Sequence, residues 1–229
     1  MIWVFGHSVC LPTDLQNNKD GWPELLGKKL GMEYKNFAQP GADNFYIYSS
    51  YVENKKHIQP SDIVIVGWSH PNRKSFVLDR ENSNHTLILN ESLIYKINEI
   101  EFVRNKNKTP PSFKNWLSLK PKDTGKQFYD VWFNNYYSEY EQKINLQSYY
   151  NSVKSTCNGL YIPFFFSKES VTNIANIDVT GSGFILEFII ENQVAINDTN
   201  MHPNVTGHRL WSEHLYNEIL KHEPYISYY

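Results

Sequence analysis

An α/β domain built on a parallel sheet is the fold class this sequence predicts, and three observations predict it. Short apolar runs alternate along the chain with segments whose apolar residues recur at helical spacing. One run, Ile63-Val64-Ile65-Val66, is unbroken, as a strand covered on both faces requires. With 229 residues, 41% hydrophobic and 15% aromatic, the chain can bury one sizeable core.

The elements follow in order. Ile2 to Phe5 reads as a buried strand, and Gly21 to Gly31 as a helix with Pro23 near its start and Gly31 just past its end. Trp22, Leu25, Leu26 and Leu30 give that helix one apolar face. Tyr34 to Ala38 is a second short strand, Asp43 to Lys56 a helix, and Asp62 to Val66 a third strand. Gly159 to Phe166 supplies a fourth strand and Pro203 to Lys221 a closing helix. Such alternation implies right-handed crossovers, and ligands then bind outside the carboxyl ends of the strands.

Three chemistry-bearing residues fall at carboxyl ends. Ser8 closes Phe5-Gly6-His7-Ser8, Gly41 follows Asn36 to Pro40, and Ser69 follows Gly67-Trp68. Near the other end comes His202-Pro203-Asn204. Each block alone has a plain explanation as a turn or helix start. Together they offer a hydroxyl at a strand end and an imidazole that could activate it, the pairing a serine nucleophile needs.

These blocks resemble those of the SGNH hydrolases, the GDSL esterase and lipase family, in the family's order: Gly6-His7-Ser8, Asn36 to Gly41, Gly67-Trp68-Ser69-His70 and Asp198 to His202. The resemblance implies a flavodoxin-like, three-layer SGNH-type fold with a mostly parallel central sheet. It also implies a serine esterase, with Ser8 as nucleophile, His202 as base and Asp198 as the group that orients it. The oxyanion site would take backbone N–H groups of Ser8 and Gly41 and a side chain from the third block, Ser69 or Asn72. There are three departures. His7 stands where the family has Asp, Ser69 stands where it has Asn, and Asp198 lies four rather than three residues before His202.

The implied substrate is a small-molecule ester with a short acyl group such as acetyl, since no long apolar segment suggests a lipid tunnel. No cofactor and no metal is expected, because the pairs available to a metal, His7, His70, His202 and Asp198, lack a recognised ligand spacing. An acyltransferase using the same acyl-enzyme is an alternative. So is a binding protein that keeps the fold without turnover. The α/β-hydrolase pattern is excluded, because Cys10 occupies the second Gly of Gly-x-Ser-x-Gly and Ser8 lies too early.

A formal net charge of −2 and a pI near 6.4 argue against a nucleic-acid partner. No stretch approaches the roughly 20 apolar residues of a membrane span, and Phe184 to Ile190 is interrupted by Glu187. Ile2 to Phe5 is too short for a signal-peptide core, and two cysteines suit reduced thiols, so a cytoplasmic location is expected. The oligomeric state is open.

The expected organisation is one domain over 1–229, with an insertion or lid around 80–158. Arg104 to Lys126 carries seven Lys/Arg and one acid, with prolines that prevent a continuous helix. It reads as a solvated loop or as a lid that attracts an anion. Tyr129, Trp132, Phe133, Tyr136, Tyr137, Tyr140 and Ile144 form an aromatic stripe at helical spacing, expected to be core. His208, further along the closing helix, is expected to pack or cap there.

Overall fold

The computed structural model describes residues 1–12, 21–71, 73–77, 86–89, 138–172, 174, 177, 183–197 and 200–222. Its centre is a parallel sheet of β1 (Ile2–Phe5), β2 (Tyr34–Asn36), β3 (Ile63–Trp68) and β6 (Leu160–Phe165), in the order β2-β1-β3-β6. Between them come β4 (Lys74–Val77) and β5 (Thr86–Leu89), an antiparallel pair that the sequence did not reveal.

Alternation along the strands sorts the core into two layers. Ile2, Val4, Ile63 and Ile65 face α1 (Trp22–Leu30) and α5 (Val205–Leu220), which contribute Trp22, Leu26, Trp211 and Leu215. Trp3, Phe5, Val64 and Val66 face the other way, onto α2 (Asn44–Asn54) and α3 (Glu139–Thr156), with Ile47, Tyr51, Tyr150 and Val153. Full burial of each such aliphatic side chain contributes roughly 1.5–3 kcal/mol. Helices on both faces of a parallel sheet make the three-layer α/β architecture the sequence predicts.

The edges of the elements follow from local chemistry. Gly21 precedes α1, Pro23 stands in its first turn and Gly31 ends it. Asp43 caps α2 by accepting from the Tyr46 N–H at 2.8 Å, so the helix begins at Asn44. It stops at Asn54 and tightens into a 3₁₀ turn over Lys55–His57. Asn204 caps α5 by accepting from the Gly207 N–H at 2.9 Å, so the helix starts two residues after Pro203. His202 therefore lies outside the helix. It sits on β8 (Asn200–Pro203), antiparallel to β7 (Ala195–Asn197), which α4 (Ile185–Glu191) precedes.

The aromatic stripe needs a correction where it can be seen. Tyr140 and Ile144 are 77% and 42% exposed, because α3 turns Leu146, Tyr150 and Val153 inward and leaves these two on the outer side. Tyr129, Trp132, Phe133, Tyr136 and Tyr137, and the basic segment 104–126, lie outside the described residues. Among the described residues no helix is long and apolar enough to cross a membrane.

Candidate active site

The central strands β1 and β3 are adjacent in space, while the chain leaves β1 toward β2 on one side and reaches β6 from β3 on the other. Their carboxyl ends form the topological switch point where doubly wound sheets hold ligands. Ser8 begins a 3₁₀ turn, Ser8–Cys10, just beyond β1, and is only 7% exposed. The turn closes through the Cys10 N–H to His7 O at 2.9 Å and the Leu11 N–H to Ser8 O at 3.1 Å. It can lie this close to the sheet because residue 6 is glycine. A Cβ there would stand 2.4 Å from Cys10 Sγ. Burial pushes the Cys10 thiol pKa up to about 12, so it packs and does not react.

The loop after β2 is drawn over the Ser8 turn by three bonds. Asn36 Nδ2 donates to Cys10 O at 2.7 Å, the Ala38 N–H to Asn36 Oδ1 at 3.0 Å, and the Gln39 N–H to Gly6 O at 3.2 Å. Gly41 then turns the chain with a φ of 75°, a conformation that favours glycine. The loop after β3 is clamped by one side chain: Asn44 accepts from the Ser69 N–H at 2.7 Å and donates to Ser69 O at 3.1 Å. Ser69 Oγ, fully buried, accepts from Arg73 Nη1 at 3.0 Å. The loops after β2 and β3 thus both lie at the carboxyl ends of strands that flank β1, the strand the Ser8 turn follows.

The fourth block arrives on the hairpin, whose strand β8 packs against the Ser8–Cys10 turn. Asn200 Oδ1 lies 2.6 Å from His202 Nδ1 and also accepts the His202 backbone N–H at 3.2 Å. The backbone N–H can only donate, so the atom between them is the amide oxygen. Nδ1 must then carry its proton, and the Nε2 lone pair is left as the basic site. The sequence points instead to an acid three or four residues before the histidine, and Asn200 escapes that pattern. The available signal was an amide two residues before it, on the same face of a strand. Asp198 and Asn72 lie outside the described residues.

His7, at the position of the family's Asp, is fully buried, and neither ring nitrogen has a hydrogen-bond partner among the described residues. Desolvation, then the charges of Arg73 and His202, hold its pKa well below the ordinary imidazole value, so it is a neutral packing group. Its ring stands edge-on to Phe166 at 5.5 Å. His70 approaches the same ring at 6.4 Å and the Arg73 guanidinium at 5.7 Å. His208 packs within α5 as expected, and its Nδ1 accepts the Trp22 N–H at 3.2 Å, tying α5 to the start of α1. Burial, aided by the charge of His202, lowers its pKa to about 4.

No protein-family model matches the chain, and no curated protein matches it. Solved structures do. The psychrotrophic esterase EstA from Pseudoalteromonas sp., in a structure inhibited by monoethylphosphonate, is similar with a TM-score of 0.52 at 13% identity, over 97% of this chain and 98% of that one. TesA gives 0.51 at 10% identity, over 96% and 98%. A member of the lipolytic G-D-S-L family from Veillonella parvula DSM 2008 gives 0.50 at 11%, over 94% and 96%. Identities this low speak to architecture alone, and they agree with the parallel sheet flanked by helices described above: the chain has the fold of the SGNH, or G-D-S-L, hydrolases, in divergent form.

Proposed function

We propose that the protein is a serine hydrolase that cleaves a small ester through an acyl-enzyme on Ser8. The observation that carries the reading is a convergence at the carboxyl end of the central strand β1: a strand-end serine, and a histidine whose Nδ1 is fixed as a donor by Asn200 on a strand that packs against the serine's turn. In this reading His202 Nε2 takes the Ser8 proton as Oγ attacks the ester carbonyl, and returns it to the departing alkoxide. Water then attacks the acyl-enzyme with the same base, releasing the acid and restoring Ser8.

Asn200 supplies orientation without a charge, so it stabilises the imidazolium less than a carboxylate would. Asp198 is the candidate for that charge. The oxyanion would be met by the N–H groups of Ser8 and Gly41, with Ser69 or Asn72 as the side-chain donor; the Ser69 hydroxyl accepts from Arg73 and keeps its own proton to donate. One such donor is worth about 3 kcal/mol of barrier. The test is a fluorophosphonate probe together with a short-chain p-nitrophenyl ester. Labelling and turnover in the wild type, both absent in Ser8→Ala, are expected. Unlabelled wild type, or turnover that survives Ser8→Ala, would overturn the assignment.

A further inference from the structure

Arg73 is a cation near the candidate site, close enough to His7, the neighbour of Ser8, for its charge to lower that imidazole's pKa. Its guanidinium uses Nη1 to reach Ser69 Oγ and lies over the Phe166 ring, and it forms no ion pair with a carboxylate among the described residues. Asp43 is the acid whose charge it feels, yet that carboxylate caps α2 and stands outside ion-pair range of it. Protein surrounds the guanidinium closely, lowering its pKa to about 10, while part of the side chain keeps its contact with solvent. Phe166 and His70, also partly exposed, stand beside it, and His7, next to Ser8 in the chain, meets the same Phe166 ring.

A partly desolvated arginine that meets no carboxylate counter-ion among the described residues is costly unless a ligand supplies one. The planar fork of N–H donors matches a carboxylate, and the neutral state of His7 leaves Arg73 as the one permanent cation of this group, suited to a monoanion. We infer that Arg73, seated on Phe166 and held by Ser69, binds a carboxylate carried by the substrate ester. The inference rests on the serine-hydrolase reading and narrows its substrate class to anionic esters. Salt-dependent attraction of such substrates follows.

The test uses two matched pairs. In 4-acetoxybenzoate and its methyl ester the charge sits on the alcohol side. In mono-(4-nitrophenyl) adipate and 4-nitrophenyl hexanoate it sits on the acyl side. The wild type should favour the anionic member of at least one pair by about tenfold or more in kcat/KM, chiefly through KM, and the responding pair identifies the side. Arg73→Gln should lower that preference at least tenfold, and Arg73→Lys should retain part of it. Ratios within twofold in both pairs, or a preference unchanged in folded Arg73→Gln, would overturn the inference. If Arg73→Gln does not fold, the Lys variant decides: its preference must fall below the wild type's without reversing. If no ester turns over, calorimetric titration with 4-hydroxybenzoate and with adipate separates the two ideas. Binding that Arg73→Gln weakens tenfold upholds the anion site and overturns hydrolysis, and no binding overturns both.

Discussion

Ser8 follows a strand buried on both faces, whereas His202 rides on a two-stranded hairpin whose residues are mostly half-buried. The serine's turn is closed by its own backbone bonds, tied to the end of β2 by the Asn36 side chain and seated by tight contact between Gly6 and Cys10. The hairpin, a two-stranded sheet of its own, is tied down by a backbone bond from the Asn204 N–H to Val194 O and by asparagine side chains. Asn204 donates to Ala195 O at 3.0 Å as well as capping α5, and Asn200 holds His202. The nucleophile's position should therefore persist until the core opens. The base's position depends on a few polar bonds, so catalysis should fail through the hairpin first.

The largest expected effect erases this distinction. Ser8→Ala and His202→Ala should each lower ester hydrolysis by about 10⁴-fold or more, and the double variant should be little worse, because the two act as a unit. Additive losses in kcat, measured with a p-nitrophenyl ester, would show that the two regions do not serve one reaction.

Acid should attack the hairpin's neighbourhood. Above about pH 6.5, the ordinary imidazole value, His208 is neutral both folded and unfolded. Below it the unfolded chain takes a proton that the folded protein refuses until about pH 4. Stability conferred by the neutral, bonded imidazole is thus complete above the unfolded value and lost as pH falls through that window, by about 3 kcal/mol at most. His7 acts in the same direction. Urea unfolding across this range should show the decline, and His208→Gln should flatten it in part. A pH-independent wild type would contradict the assignment.

On the nucleophile side, Gly6→Ala should cost about 1–3 kcal/mol, since the new methyl meets Cys10 Sγ at 2.4 Å. Cys10→Ala removes the obstruction, leaving a 3.5 Å contact with Cβ, so the double variant should recover most of the loss. Chemical denaturation checks this, and additivity would mean that the contact does not constrain the turn.

The smallest effect sharpens the contrast most. Asn200→Ala should lower kcat by about tenfold and leave the melting temperature nearly unchanged, while Asn200→Asp, which puts a carboxylate at the same place, should keep or raise the rate. Asp198→Asn should fall between wild type and His202→Ala. An inactive Asn200→Asp with intact fold would remove Asn200 from the orienting role.

The difference between the regions also governs what could be read from the chain. Strands β1, β3 and β6 announce themselves because burial on both faces demands continuous apolar runs, and their carboxyl ends bring Ser8 and Ser69 with them. The hairpin is nearly silent: Asn200-Met201-His202-Pro203 has no β-branched residue, and only Asn197-Asp198 marks turn chemistry. Asn200 acquires its meaning from one distance, and Arg73 from its seat over a ring ninety-three positions later in the chain. Spacing along a sequence carries neither. The β4–β5 pair was hidden likewise, by flanking residues of mixed character.

Cys10, wedged between the sheet and the serine's turn, also makes that turn its own reporter. A thiol held near pKa 12 ignores iodoacetamide, whereas Cys157, half-buried at the end of α3, is the more accessible of the two. Alkylation of the intact protein should stop at Cys157, and the later appearance of label two residues from Ser8 would time the moment the nucleophile's seat comes apart.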